Sequence, residues 1–361
     1  MSDFAIGITD HIEGPLGRPS AAIFEEVADL VRLADRLGVR YAWFAEHHEH
    51  AHQGHMPAPL LYALHLAGQT RSIHLGTAIT CLNLHHPVAV AEQVAVADAL
   101  SGGRMAVGFG SGSSPDEAAL FGVDPADEEA RHDRFAEALR TIRSAWAGGR
   151  SLPAPAADLA GRCWLAVNSP GSARIAGSMG FNVLFSHLRT PEQYRQYVAA
   201  YREAGGSGLV AANRPVFVGA DDASAFAIAE PALRLLWRRF RHEGKIPAAT
   251  PEPTDPAALC GHPINFLVGG PESIARRLRD LHDEVPFDVA NVEVRWAGLD
   301  HDQVRDSLRR LVEDAAPLAS KPRDSSPRMD AAALLHSSRD GGGGHDRRVE
   351  SGAFDGGNGH G

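Results

Sequence analysis

Two rhythms of apolar residues alternate along the chain. Short apolar runs, at 4–10, 41–45, 73–80, 105–109, 163–167, 181–186, 214–219 and 289–296, predict strands buried on both faces. Between them, apolar residues recur three and four apart, as in Phe24, Val27, Leu30, Val31, Ala34 and Leu37, or Phe135, Leu139, Ile142 and Trp146. That spacing predicts helices from Ser20 and over 60–70, 87–100, 130–146, 170–179, 191–204, 222–241, 271–283 and 301–314. Pro87 and Pro271 sit where a first helical turn tolerates proline, Thr190 is placed as a cap, and Gly148-Gly149 ends a helix. Eight strands alternating with helices predict an α/β fold, a (β/α)8 TIM barrel.

Two stretches break the rhythm. Residues 242–265 are rich in proline and polar side chains and predict an insertion late in the barrel, placed to act as a mobile lid. From about Ser320 the composition turns to Gly, Ser, Asp, Arg and His, too poor in apolar surface to offset the entropy of ordering. The predicted organisation is therefore a barrel over 1–318 and a disordered Gly-rich tail over 319–361.

Composition narrows the function. A formal charge of −10 over 361 residues, with arginines scattered along helices, argues against a nucleic-acid binder. No apolar run is long enough to cross a membrane, and Met1-Ser2-Asp3 lacks the basic and apolar regions of a leader, so a cytoplasmic protein is expected. Cys81, Cys163 and Cys260 have no paired spacing and read as buried free thiols. The 19 histidines include no helical pair with a carboxylate third ligand, so no metal is expected.

Candidate chemistry gathers where strands should end. Tyr41-Ala42-Trp43-Phe44-Ala45 stops at Glu46, His47 and His48, and the carboxyl ends of strands are where barrels keep functional groups. Of the two imidazoles, alternation sends His48 to the face opposite His47. Asn168-Ser169-Pro170-Gly171-Ser172-Ala173-Arg174, between a strand and a helix, offers hydroxyls, backbone donors and a guanidinium to an anion, or equally an ordinary helix cap. Gly108-Phe109-Gly110-Ser111-Gly112 lets backbone approach a phosphate or flat ring, but lacks the spacing of a nicotinamide fingerprint.

These motifs, with Ile73–Thr80, His86-Pro87-Val88, Ala91-Glu92-Gln93, Ala99–Arg104 and Phe121-Gly122-Val123 in order, resemble the bacterial luciferase-like flavin-dependent monooxygenases from about residue 3 to about 315. The resemblance implies a TIM barrel that takes reduced FMN from a separate flavin reductase and uses O2 to oxygenate a small-molecule substrate. It implies that His47 is the catalytic histidine and Glu46 a flavin-pocket carboxylate. The phosphate would fall on Ser169, Gly171 and Ser172, with Arg174 supplying charge. Gly110 and Ser111 stand where luciferase itself has an arginine-bearing loop, which puts an arginine clamp there in doubt. By position, Ala78–Ile79 would be the non-proline cis peptide under the flavin ring. Asp10, Met56, Phe109 and Phe185 are the candidate substrate pocket, and a homodimer is expected. Rival readings are a deazaflavin-dependent hydride-transferring enzyme of the same barrel family and a non-catalytic flavin-binding protein.

Overall fold

The computed structural model describes residues 4–14, 17–48, 54–112, 114–124, 126–147 and 153–319. The strands are β1 (Ala5–Asp10), β2 (Tyr41–Phe44), β3 (His74–Thr77), β4 (Thr80–Cys81), β5 (Gly108–Gly110), β6 (Trp164–Val167), β7 (Asn182–Phe185), β8 (Val210–Val218), β9 (Leu267–Gly269) and β10 (Val289–Glu293). All pairings are parallel, in the order β3-β2-β1-β10-β8-β7-β6-β5-β4. Met105, just before β5, bridges Leu75 of β3, so the two ends of the path meet and close the predicted barrel.

The predicted third strand is two pieces, β3 and β4, and the Ala78–Ile79 peptide between them is cis. β8 is longer than expected at its start, and β9, absent from the sequence reading, adds only to the end of β8, at Val216–Val218. The glycines of Leu267–Gly269–Gly270 and the proline that follows mask it as a strand.

Helices α1 (Ser20–Arg36), α2 (Pro59–Ala67), α3 (Pro87–Ser101), α4 (Pro115–Leu120), α5 (Glu128–Ala147), α6 (Leu159–Arg162), α7 (Pro170–Met179), α8 (Pro191–Glu203), α9 (Asp222–His242), α10 (Pro271–Glu284) and α11 (His301–Arg310) surround the strands. Proline opens α2, α3, α4, α7, α8 and α10, where the missing N–H costs no helical bond. Ser169, Thr190 and Asp221 close capping boxes on α7, α8 and α9.

Alternation along the strands divides the core in two. Tyr41 and Trp43 of β2, Ala106 before β5, Trp164, Leu184, Ala211 and Val289 fill the barrel interior. Trp43 stacks on Tyr41 with centroids 4.8 Å apart, meets Trp164 edge-on at 5.2 Å, and donates its indole N–H to the Ala106 carbonyl at 2.9 Å. Gly7 makes room for it, since a Cβ there would lie 2.7 Å from the indole ring. The intervening residues pack outward against the helices.

The late insertion departs from expectation. Ile246, Leu259, Cys260, Ile264 and Phe266 are buried with Phe217, Leu233, Trp237, Phe240 and Trp296 in a cluster of their own. Glu252 is held by the guanidinium groups of Arg234 and Arg238 on α9. Apolar residues scattered among the prolines give this segment more to pack than its composition suggested. Beyond α11 the chain stays helical to Ala319, and the predicted disordered tail lies outside the described residues.

Candidate active site

β2 delivers three side chains to the barrel mouth, and alternation sorts them onto two networks. Glu46 is buried. Its Oε1 accepts from His48 Nε2 at 3.0 Å and His85 Nε2 at 2.8 Å, and its Oε2 accepts from the Cys81 N–H at 3.2 Å. Burial alone would push this carboxyl up, but the two imidazoles outweigh it and hold Glu46 below its ordinary range. The Glu46 hydrogen bond in turn raises His85. Expected as a carboxylate of the flavin pocket, Glu46 also ties the end of β2 to Cys81 of β4 and to His85 beyond it.

His47 turns the other way, between two partners. Its Nδ1 lies 3.3 Å from Glu117 Oε1 of α4, an oxygen that also accepts the His48 backbone N–H at 2.9 Å. Its Nε2 faces His11 Nδ1 at 3.2 Å, with the two rings stacked at 5.5 Å. Beyond His11 Nε2, at 3.8 Å, is Glu293 Oε1, which accepts from Asn213 Nδ2 at 2.7 Å and His187 Nδ1 at 3.1 Å. The row therefore spans β1, β2, β7, β8 and β10. Burial opposes ionisation of Glu293, yet the charge and hydrogen bonds of His187 and His11 hold it well below its ordinary range. Gly54 closes over the row, because a Cβ there would strike the His11 carbonyl and sit 2.9 Å from His47 Cδ2.

The four predicted pocket residues separate. Met56 belongs to the site, its carbonyl accepting the His47 N–H at 3.0 Å. Asp10 is paired bidentately with Arg295 at 2.7 Å and accepts the Ile12 N–H, so its carboxylate organises the loop after β1. Phe109 and Phe185 are fully buried outside the barrel: Phe109 meets Phe181 edge-on, and Phe185 stacks on Tyr194 of α8 at 4.8 Å. The strand period explains both, since Gly108, Gly110 and Leu184 take the inward positions.

Gly110 faces Ile79, whose Cδ1 would be 2.7 Å from an added Cβ; the glycine accommodates the side chain that follows the cis bond. Ala78 packs on the interior cluster. The Ser111 carbonyl accepts from Asn83 Nδ2 at 3.0 Å, while Asn83 Oδ1 and Arg131 Nε, beside Ser111, Gly112 and Glu117, are buried without hydrogen-bond partners among the described residues. Across β6, the Ser169 and Ser172 hydroxyls accept each other's backbone N–H at 3.2 Å, so the loop is a helix cap first. Nothing crowds Gly171, and Arg174 is exposed with no ion pair among the described residues. The Ser172 hydroxyl donates to the Ser169 carbonyl at 3.0 Å, so what this turn can present to an anion is the Ser169 hydroxyl and the Gly171 N–H. Two inward acceptors, His187 Nε2 and Asn213 Oδ1, are likewise buried and unmatched among the described residues. Among the described residues no cluster of His, Cys, Asp or Glu forms a metal site, and no helix is long and apolar enough to cross a membrane.

The sequence pattern of the luciferase-like monooxygenases matches residues 3–286. The chain belongs to that family. As a luciferase-like monooxygenase it is an oxidoreductase. It is 29% identical over 328 residues to an uncharacterized protein, y4wF, of Sinorhizobium fredii, covering 82% of this chain and 92% of that one. It is 21% identical to the oxygenase component of a flavin-dependent trigonelline monooxygenase of Acinetobacter baylyi, over 83% of this chain and 91% of that one. The fold matches the oxygenating constituent of 3,6-diketocamphane monooxygenase of Pseudomonas putida, in complex with FMN, with a TM-score of 0.71 and 20% identity over 88% and 99% of the two chains. A shorter match, 30% over 169 residues, 41% of this chain and 45% of the relative, is to an F420-dependent hydroxymycolic acid dehydrogenase of Mycobacterium tuberculosis.

Glu117, His187, Asn213 and Glu293 were not singled out in the sequence. Glu293 had a weaker signal, a carboxylate within the strand-like stretch Val289-Ala290-Asn291-Val292-Glu293-Val294.

Proposed function

We propose that this luciferase-like monooxygenase binds reduced FMN at the barrel mouth and uses O2 to oxygenate a small organic substrate, the reduced flavin arriving from a separate reductase. The observation that carries the reading is the inward row of His47, His11 and Glu293 beside unmatched buried acceptors, at a barrel mouth that also carries Ala78, Ile79 and Gly110. The oxygenase-component relative and the FMN-bound neighbour support the cofactor and the reductase. Reduced flavin, when bound, supplies the electrons for oxygen activation.

In this reading Ser169, Gly171, Ser172 and Arg174 hold the phosphate at the start of α7, and Ala78, Ile79 and Gly110 support the ring. Ser111 lies at the edge of that wall. The linked pair His47 and His11 holds a proton near the reacting oxygen, and Met56, with the packed late insertion, limits water. A cytoplasmic homodimer is part of the proposal. The F420-dependent relative favours a second reading, hydride transfer with a deazaflavin. The two are told apart by adding each reduced cofactor to the purified protein: oxygen uptake and tight anaerobic binding are expected with FMN. Binding of reduced F420 alone would replace the proposal with the second reading.

A further inference from the structure

We propose that His11 and Glu293 are positioning residues for His47: His11 donates a hydrogen bond to His47 Nε2, and Glu293 keeps His11 in its proton-bearing form. This rests on the role proposed for His47 and extends it to groups that the family resemblance does not assign.

Hydrogen-bond valence gives the direction. Glu117 accepts at its carboxylate, so the hydrogen of a neutral His47 resides on Nδ1, 3.3 Å away, and its Nε2 carries only a lone pair. The atom facing that lone pair, His11 Nδ1 at 3.2 Å, is then the donor. His11 Nε2 points to Glu293, whose Oε1 already receives two donors, from Asn213 and His187, and stays ionised.

The other charges around His11 are matched elsewhere. Asp10 is paired with Arg295, and Glu13 with Arg239 of α9. From β2 the facing group is His47, and from the end of β7 His187 reaches Glu293 from the far side. Burial works against a charged His11, but the Glu293 carboxylate 3.8 Å away, aided by Glu13 and Asp10, reverses the balance and raises it. Glu293 is the one of these carboxylates without an arginine partner, so it governs the proton on His11.

The consequence is a His47 whose inward nitrogen is matched to a proton held next door, in a ring orientation fixed from both sides. Removing Glu293's charge lowers the proton affinity of His11 without touching His47. Replacing His11 by glutamine keeps a donor and removes the titration.

The test uses the full-length protein with 15N-labelled histidine, free of cofactor, and long-range 1H–15N NMR across pH. Expected are an Nδ1–H tautomer at His47 and a titration of His11 that moves down by about one pH unit in Glu293→Gln. The His11 resonances are identified by their loss in His11→Gln. In that variant the His47 tautomer should persist. An Nε2–H tautomer at His47, or a His11 midpoint unmoved by Glu293→Gln, overturns the proposal. Should Glu293→Gln not fold, the His47 tautomer in wild type and in His11→Gln decides it. With reduced FMN added, the pH at which product gives way to hydrogen peroxide should move down in Glu293→Gln and flatten in His11→Gln. Absence of any product in wild type would remove the monooxygenase reading while the NMR result stands.

Discussion

Two carboxylate–imidazole networks leave the same strand end and finish differently. Around Glu46, both carboxylate oxygens are occupied, by two imidazoles and a backbone N–H. Along the row from Glu117 through His47 and His11, the imidazoles are linked at 3.3 and 3.2 Å and His11 Nε2 stops 3.8 Å from Glu293, and among the described residues the far end leaves His187 Nε2 and Asn213 Oδ1 buried and unmatched. A buried carboxylate held by three donors acts as a brace, whereas a row with open ends can receive a ligand. Neighbouring residues of one motif thus separate structural from chemical duty, and alternation along β2 does the separating.

The comparison can be broken most sharply at His47. His47→Ala should lower product by about 10²–10⁴-fold while reduced flavin still yields hydrogen peroxide, read as the ratio of product to peroxide. An unchanged ratio would move the chemistry off the row.

Glu46→Ala should do the reverse. Leaving His48, His85 and the Cys81 N–H without their acceptor should lower the unfolding free energy by about 3–5 kcal/mol, measured by urea denaturation. Folded variant should keep its product-to-peroxide ratio. A lost ratio with unchanged stability would make Glu46 a chemical group and erase the contrast.

The brace also has a pH signature. Glu46 is held below its unfolded value, so its contribution is present above about pH 4.3 and is lost as pH falls through the folded value. His85 is raised, so its contribution is present below about pH 6.5 and is lost as pH rises through its folded value. The stability gap between wild type and Glu46→Gln should therefore be widest between these limits and narrow on either side, followed by denaturation at several pH values. A gap flat across pH would mean that the brace acts without its charges.

The smallest effect is expected at α7. Ser172→Ala costs one side of the capping box, about 1 kcal/mol of stability. Combined with Arg174→Ala it should weaken binding of reduced FMN about tenfold, more than either change alone, in anaerobic calorimetry. Weakening no greater than the lost cap explains would confine Ser169 and Ser172 to helix capping.

The barrel was legible because its strands are apolar enough to stand out between helical repeats, and Glu46-His47-His48 because charge ends an apolar run abruptly. Phe109 and Phe185 misled because aromatic character marks a core as readily as a pocket, and only the inward glycines and Leu184 beside them reveal which face they take. Glu117 and Asn213 were hidden by distance. One lies in the first turn of a short helix and the other inside a strand, and nothing local distinguishes a carboxylate or amide that will meet His47 or Glu293 from far along the chain. Asp10 stands at a strand end just as Glu46 does, but its partner Arg295 is nearly the whole barrel away in sequence.

The late insertion brings chain entropy to bear on specificity. Residues 243–266 leave α9 and return at β9, and they carry their own apolar cluster. For a connection fixed at both ends, doubling its length adds only about 0.6 kcal/mol of closure cost. Variation in this segment is therefore a low-cost way to reshape the rim of the barrel, because its packing is settled with α9 and Trp296 while the residues that hold His47 come from other elements.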